Sequence, residues 1–205
     1  VTGAASGIGR TCALHLLETG NQIVASDFSF AALEKSLGDE TDDLRFLAGD
    51  ISKTMTSENA VALAQKTFGR VDGLAHFGAV HSKVDWLETS EEEFNRVLSV
   101  NLTGSFLVAK SAAKAMIALN VKGSIVLTAS ASTLIGSPGG QGTGGPAYVS
   151  SKGGILVLIR SLARALGPHG IRINSISPGV VETPMTAEYS PEAKLAAAER
   201  AVLGR

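Results

Sequence analysis

Short apolar runs alternate with longer stretches of helical periodicity along the chain. The apolar runs, five to seven residues long, predict β-strands at Gln22–Ser26, Leu44–Ala48, Asp72–His76, Ser124–Ala129 and Ile171–Ser177. The helical stretches predict α-helices at Gly7–Glu18, Phe30–Leu37, Ser57–Phe68, Glu91–Leu119, Ala147–Leu166 and Pro191–Leu203. Strands that alternate with helices pair in parallel through right-handed crossovers. The pattern therefore predicts an α/β fold with a doubly wound parallel sheet, Rossmann-like, in three layers.

Local signals mark some of the element boundaries. Ser90 and Glu93 form a capping-box pattern, so a helix is expected to begin at Glu91. Ser190 followed by Pro191 is also typical of a helix start. Six of the ten residues in Gly136–Gly145 are glycine, which predicts a mobile loop there.

Composition excludes several classes of function. The 205 residues are 44% apolar and 18% charged with a net charge of −1, which predicts one globular domain over residues 1–205 without a basic surface for nucleic acid. No apolar run approaches the roughly 20 residues that cross a bilayer, so no membrane segment is expected. One cysteine and four scattered histidines predict neither a disulfide nor a metal site. We expect a cytoplasmic protein.

Both ends of the sequence indicate a partial chain. The glycine-rich turn at Gly3 is expected to follow a strand, of which roughly four or five residues would be missing before Val1. The sequence also stops at Arg205, just after a predicted helix.

Three glycines open the chain in the sequence TGAASGIG, residues 2–9. Gly3 permits a tight exit from a strand, Gly7 lets a pyrophosphate approach the backbone, and Gly9 lets the next helix pack close to the sheet. The free N–H groups at the start of that helix, around Ser6, Gly7 and Ile8, attract phosphate oxygens. The pattern predicts a dinucleotide site, with an ordinary glycine turn as the alternative.

Carboxylates follow the next two predicted strands. Asp27 stands about 20 residues after the glycines, where a carboxylate accepts hydrogen bonds from a ribose diol and repels a 2′-phosphate. No Arg or Lys occupies positions 4–6 or 28–30, which favours NAD(H) over NADP(H), although Asp27 is alternatively a solvated turn residue. Asp50 and Ile51 are expected to contact the adenine amino group and ring.

Tyr148 and Lys152 are four residues apart at the start of a predicted helix, so both side chains project from one face. An ammonium beside a phenol favours the phenolate, and so does the positive charge of an oxidised nicotinamide, which would bring the tyrosine pKa of about 10 toward neutrality. Ser130 follows the predicted strand Ser124–Ala129, at the sheet edge where ligands of such folds bind. Its hydroxyl is expected to donate to a substrate carbonyl oxygen.

Taken together, these motifs resemble the single-domain short-chain dehydrogenase/reductase family. They occur in the family's order and cover nearly the whole chain: Thr2–Gly9, Asp50-Ile51, Asn101 within Val100–Gly104, Ser130, Tyr148-x-x-x-Lys152 and Pro178–Thr183. The resemblance implies hydride transfer between NAD(H) and a small-molecule secondary alcohol or ketone. It also implies a homotetramer or homodimer, and a further helix and strand beyond Arg205.

The resemblance assigns a role to each matching residue. Tyr148 is the general acid in reduction and the base in oxidation, Lys152 lowers its pKa and holds the nicotinamide ribose, and Ser130 polarises the substrate oxygen. Asn101, at a helix kink, anchors a water that links Lys152 to solvent. The candidate cofactor contacts are Gly3, Ser6, Gly7, Ile8, Asp27, Asp50, Ile51, His76, Gly78, Tyr148, Lys152, Pro178, Gly179, Val181 and Thr183.

Two stretches depart from the family pattern. His76-Phe77-Gly78-Ala79 replaces the usual Asn-Asn-Ala-Gly, and His76 is expected to be a structural substitute rather than a catalyst. Ser130 and Tyr148 are 18 residues apart, which exceeds the family's usual interval. The extra residues coincide with Gly136–Gly145, which we expect to bulge into the substrate entrance without moving Ser130.

Several functional alternatives stay open. The substrate is a 3-oxoacyl thioester, a sugar or polyol, or a steroid-like ketone, and Met185–Tyr189 is a candidate substrate lid. An epimerase or dehydratase with the same Tyr–Lys pair is expected to need a larger substrate domain. The alternative from another class is a catalytically silent nucleotide-binding or scaffold protein, favoured by the altered tetrapeptide and opposed by the complete Ser–Tyr–Lys set.

Overall fold

Five parallel strands form the central sheet of the computed structural model, which describes residues 1–201. The strands are β1 (Ile23–Asp27), β2 (Leu44–Ala48), β3 (Gly73–Ala75), β4 (Ser124–Thr128) and β5 (Arg172–Ile176). β1 pairs with β2, and β4 pairs with both β3 and β5, all in parallel register. The predicted Rossmann-like α/β fold is confirmed, with each strand close to its predicted position.

Thr2 joins the two groups of strands into one sheet. It forms parallel bridges to Ser26 of β1 and to His76 just beyond β3. Its N–H donates to the Ala75 oxygen at 3.0 Å, and its oxygen accepts from the Phe77 N–H at 3.1 Å. The order across the sheet is therefore β2, β1, the Thr2 segment, β3, β4, β5, so the glycine-rich turn begins at the centre.

Within residues 1–201, eight α-helices surround the sheet. They are α1 (Gly7–Glu18), α2 (Phe30–Leu37), α3 (Thr54–Phe68), α4 (Glu91–Leu98), α5 (Gly104–Ala118), α6 (Ser132–Ile135), α7 (Pro146–Leu166) and α8 (Pro191–Arg200). Short 3₁₀ turns cover Gly167–His169 and Pro184–Thr186. Residues 202–203, at the end of the last predicted helix, lie outside the described residues. None of the described helices has the length and apolar composition of a bilayer-spanning segment.

The predicted helix starts agree with the capping contacts. Ser90 Oγ accepts a hydrogen bond from the Glu93 N–H at 3.1 Å, and Ser190 Oγ accepts one from the Ala193 N–H at 3.1 Å. The predicted helix Glu91–Leu119 is interrupted by a π-helical turn at Ser99–Thr103, which separates α4 from α5 and agrees with the kink expected at Asn101. Turns of this kind often occur at functional sites.

Two apolar clusters hold the helices against the sheet. The larger cluster joins β3, β4 and β5 to α5 and α7, with Met116, Ile125, Leu127 and Ile155 fully buried. The smaller cluster joins β1 and β2 to α1 and α2 around Leu33 and Phe46. Because all the strands run in parallel, their carboxyl ends share one edge, where ligands of such sheets bind.

Candidate active site

Close backbone contacts hold the glycine-rich turn at the centre of this edge. A Cβ at Gly3 would lie 2.7 Å from the backbone of Phe77 and Gly78, and a Cβ at Gly9 would overlap the Gly3 carbonyl. The φ angles of Gly3 and Gly7 are +68° and +50°, which other residues rarely adopt. Within the described residues, the Ser6 side chain makes no cap at the start of α1, so it leaves the first N–H groups of that helix uncapped.

The segment Pro178–Thr183 faces this turn. A Cβ at Gly7 would lie 3.0 Å from Cγ2 of Thr183, so the two segments are in direct contact. A cleft of about 590 Å³ between them is lined by Gly7, Ile8, Val181 and Thr183 among others. Pro178 accepts a 3.0 Å hydrogen bond from the Ala131 N–H, which ties the segment to the turn after β4. Four predicted cofactor residues therefore share one cleft.

The two predicted carboxylates lie at the same edge. Asp27 accepts hydrogen bonds from the Ala5 N–H at 2.9 Å and from the Phe28 N–H at 2.7 Å, so it abuts the glycine-rich turn. Asp50 follows β2 and accepts a 2.9 Å hydrogen bond from the Ser52 N–H. The Asp27 backbone oxygen accepts from the Gly49 N–H at 2.9 Å, which keeps the ends of β1 and β2 side by side.

Tyr148 and Lys152 lie on one face of α7, with Lys152 Nζ 5.6 Å from the centroid of the Tyr148 ring. Nζ donates a 2.7 Å hydrogen bond to the Thr128 backbone oxygen at the end of β4. Ser130 follows two residues later, and its hydroxyl lies near enough to the Tyr148 phenol to act against the rise in the pKa of Tyr148 that burial causes. Ser132 Oγ donates to Ser130 Oγ at 2.9 Å. The structure therefore brings Ser130, Tyr148 and Lys152 together.

Burial controls the protonation of this group. The pKa of Tyr148 is raised above its usual value, because burial opposes the phenolate more strongly than the Ser130 hydroxyl favours it. Burial lowers the pKa of Lys152 to about 8. In the chain alone, burial outweighs the effects that favour the phenolate, and the lowering expected beside an oxidised nicotinamide stays a prediction.

Asn101 is fully buried within the π-helical turn. Its Oδ1 accepts from the Val80 N–H at 2.8 Å, and its Nδ2 donates to the Val80 oxygen at 2.8 Å and to Ser151 Oγ at 3.0 Å. The amide thereby fixes the segment after β3 to α7, next to Lys152. Asn101 is a positioning residue in this arrangement, and the water-anchoring role stays a prediction.

His76 lies beneath the glycine-rich turn with only 2% of its surface exposed. Its Nδ1 is 2.6 Å from Thr2 Oγ1, and its backbone oxygen accepts a 2.7 Å hydrogen bond from Thr128 Oγ1. Burial, together with the charge of Lys152, lowers the pKa of His76 to about 3, so the ring is neutral near pH 7. A Cβ at Gly78 would lie 3.5 Å from His76 Cε1. These contacts agree with a structural role for His76.

Sequence reasoning missed two residues that contact Tyr148. The His81 ring centroid is 6.2 Å from that of Tyr148 at an interplanar angle of 71°. A Cβ at Gly144 would lie 2.9 Å from the Tyr148 ring, so this glycine packs directly against the phenol. From the sequence, only the position of His81 in the loop after β3, at the carboxyl edge of the sheet, could have suggested that it belongs to the site.

The stretch Gly136–Gly145 is a loop, as its composition predicts. Gly139 forms a bridge to Asp85, and Gly140 to Thr143. A Cβ at Gly142 would overlap the backbone of Glu188, in the segment proposed from sequence as a lid. The loop therefore contacts two other segments near Tyr148, and its mobility stays a prediction.

Comparisons with known proteins agree with this architecture. A family model described as enoyl-(acyl carrier protein) reductase matches residues 3–205. The "(3R)-3-hydroxyacyl-CoA dehydrogenase" of Rattus norvegicus is 35% identical over 205 aligned residues, covering 95% of this chain and 77% of the relative. The "Borneol dehydrogenase, mitochondrial" of Lavandula x intermedia is 39% identical over 193 residues, covering 92% of this chain and 70% of the relative.

Solved structures show the same likeness. A crystal structure from Brucella melitensis, described as a short-chain dehydrogenase/reductase of the glucose/ribitol dehydrogenase type, superposes with a TM-score of 0.88. It is 29% identical to this chain, and the match covers 100% of this chain and 80% of the other.

Proposed function

The chain belongs to the short-chain dehydrogenase/reductase family, and from this premise we propose that it is an NAD(H)-dependent oxidoreductase that interconverts a secondary alcohol and a ketone. The family match extends over residues 3–205. The observation that carries the proposal is the convergence of Ser130, Tyr148 and Lys152 at the carboxyl end of β4. Relatives named as dehydrogenases of a hydroxyacyl thioester and of borneol support the reaction class.

The residues at the sheet edge fit a dinucleotide. Gly3 and Gly7 bring the backbone close to its neighbours where a Cβ would clash, and the first N–H groups of α1 are available to phosphate oxygens. Val181 and Thr183 line the adjoining cleft, where they would contact the nicotinamide. The Asp27 carboxylate favours a free ribose diol over a 2′-phosphate, which supports NAD(H). When bound, the nicotinamide ring would donate the hydride in reduction and accept it in oxidation.

The proton chemistry falls to the chain's own residues. Because burial raises the pKa of Tyr148, the phenol is protonated near pH 7 and is ready to donate to the substrate oxygen during reduction. Ser130 donates a hydrogen bond to the same oxygen as negative charge develops on it. Lys152 is charged below about pH 8, so it stabilises the phenolate left on Tyr148. In oxidation the same phenolate accepts the proton of the alcohol.

A silent nucleotide-binding protein of the same fold is the second candidate. The tetrapeptide His76-Phe77-Gly78-Ala79 favours it, because it lacks the two asparagine side chains of the family's usual Asn-Asn-Ala-Gly. The assembled Ser130, Tyr148 and Lys152 group opposes it, since a binder needs no buried acid–base pair.

The deciding experiment follows NADH absorbance with a panel of thioester, sugar and cyclic ketones, for the wild type and for Tyr148→Phe. We expect the variant to lower kcat by about 10²- to 10⁴-fold, since it removes the transferred proton. NADH affinity, measured by fluorescence titration, should fall by less than about tenfold, because one hydroxyl contact is lost while the aromatic ring is kept. Full turnover by Tyr148→Phe contradicts the mechanism, and NADH binding without turnover of any alcohol or ketone favours the silent binder.

We also propose that the protein is a homodimer or homotetramer. Exposed apolar side chains on α5 and α7 support this, namely Phe106, Ile117 and Val157. Light scattering measures the mass of the protein in solution directly. A monomeric mass at the protein concentration of the activity assays contradicts the proposal.

A further inference from the structure

We propose that His81 and Tyr189 form a wall of the substrate pocket beside Tyr148, and that this wall selects neutral substrates whose reacting carbon lies in, or next to, an apolar ring. The inference rests on the proposed function, because it concerns which ketone or alcohol reaches Tyr148. It assigns a specificity role to two residues outside the Ser130, Tyr148 and Lys152 group.

The wall consists of two rings that adjoin the reacting phenol. His81 meets Tyr148 edge to face, with 6.2 Å between centroids, and stacks on Tyr189 at 6.4 Å with an interplanar angle of 19°. The rings of Tyr148, His81 and Tyr189 therefore form one contiguous aromatic cluster, joined through His81. A substrate held at the Tyr148 hydroxyl therefore lies within reach of these two rings.

A small, partly apolar cavity is lined by His81 of the wall together with residues of the Pro184–Glu188 segment. It measures about 320 Å³, near the lower end of the range for small-molecule sites. Val80, Pro184 and Met185 supply its apolar lining. Flat aromatic surfaces and a flexible methionine favour a compact ring over an extended polar chain.

The positively charged side chains that line the cavity are paired with carboxylates. Lys83 Nζ lies 2.7 Å from Glu188 Oε2, and Arg96 Nε lies 2.6 Å from Glu93 Oε2. Burial and the cations Lys83 and Arg96 lower the pKa of His81, although Glu188 opposes them, so its ring is neutral at pH 7. The cavity thus offers no excess positive charge to hold a phosphate-bearing thioester, which favours a neutral substrate.

Neighbouring segments hold the wall in place. Tyr189 follows Glu188, which pairs with Lys83 two residues after His81. The Ser190 N–H donates a 3.1 Å hydrogen bond to the Gln141 oxygen, so the glycine-rich loop supports the same segment. A wall fixed from two sides limits the size of the ring that fits beneath it.

The test compares His81→Ala, His81→Phe and Tyr189→Ala with the wild type, using cyclohexanone, butanone and a 3-oxoacyl thioester. For the wild type we expect the lowest KM with cyclohexanone. His81→Ala and Tyr189→Ala should raise that KM by about 3- to 10-fold with little change in kcat, since they remove a stacking surface. His81→Phe keeps a flat ring and should restore the wild-type KM. The KM for butanone should change less than about twofold, because it is smaller and covers less of the two aromatic faces.

Trp86→Ala is the matched control, since it removes an exposed aromatic side chain from the same loop and should leave all three KM values unchanged. Should His81→Ala fail to fold, Tyr189→Ala carries the same comparison. Three results would each contradict the proposed wall while leaving the proposed function in place. These are equal KM changes for cyclohexanone and butanone, unchanged KM values in both alanine variants, and a wild-type KM that is lower for the thioester than for cyclohexanone. No turnover of any alcohol or ketone removes the proposed function and this inference with it.

Discussion

The ammonium of Lys152 donates a 2.7 Å hydrogen bond to the backbone oxygen of Thr128, where β4 ends. The Lys152 side chain is 2% exposed, and its burial lowers its pKa to about 8. Removing a charge from water destabilises the folded chain unless other contacts compensate it. The buried ammonium of Lys152, which is proposed to stabilise the Tyr148 phenolate, therefore lowers the free energy of unfolding.

We expect Lys152→Met to stabilise the protein at pH 7 by about 1–3 kcal/mol while lowering turnover by at least about 100-fold. The lysine pKa falls from 10.5 to about 8 on folding, so between these values the unfolded chain binds a proton that the folded chain does not. Wild-type stability must then rise with pH across this window. Urea unfolding at pH 7 and pH 10 should show the variant's advantage shrinking, and an equal advantage at both pH values contradicts the burial argument.

Acid should destabilise the protein through His76. Its pKa falls from 6.5 to about 3 on folding, mainly because of burial, so below pH 6.5 the unfolded chain takes up a proton that the folded chain excludes. Relative to His76→Asn, the wild type should lose up to about 1.4 kcal/mol of unfolding free energy per pH unit below this point. Unfolding curves between pH 4 and pH 7, roughly this window, test the difference. Parallel pH dependences of the two proteins would show that His76 is not buried as described.

Local sequence rules account for most of the fold and for the spacing of the site. The five apolar runs became β1–β5, and the four-residue interval placed Tyr148 and Lys152 on one face of α7. Periodicity alone does not predict the π-helical turn, because helical periodicity continues through Ser99–Thr103, and the kink at Asn101 was expected only from the family resemblance. The break is associated with the contacts of Asn101 to Val80 and Ser151, which are remote in sequence.

Other features depend on how distant segments meet. His81 belongs to a loop whose residues show no periodic pattern. It becomes part of the site only because folding brings the rings of Tyr148 and Tyr189 against it. The raised pKa of Tyr148 was likewise beyond the sequence, since the spacing of Tyr148 and Lys152 says nothing about the depth of their burial. The local sequence shows that Tyr148 and Lys152 lie on one face of a helix, whereas the loss of water around them depends on the whole fold.

The charge of Asp27 should set the choice of dinucleotide. Asp27→Asn removes the negative charge and keeps one oxygen that can accept from the Ala5 N–H, which holds the glycine-rich turn, while the contact to the Phe28 N–H is lost. We expect NADPH affinity to rise by about tenfold, because repulsion of the 2′-phosphate is lost. Fluorescence titration with NADH and NADPH measures both affinities. Asp42→Asn, at a fully exposed carboxylate, is the control for net charge, and tighter wild-type binding of NADPH than NADH contradicts the assignment.

Gly144 should be required for the position of Tyr148. The Cβ of Gly144→Ala would lie 2.9 Å from Cγ and Cδ1 of Tyr148, so the ring or the loop must move. A displaced phenol should lower kcat by about 10- to 100-fold with unchanged NADH affinity. Gly153→Ala in α7 is the matched control, because its Cβ meets nothing within 4 Å and should add about 0.5–1 kcal/mol of stability. If Gly144→Ala retains wild-type kcat, the loop adapts to the methyl group and does not fix the phenol.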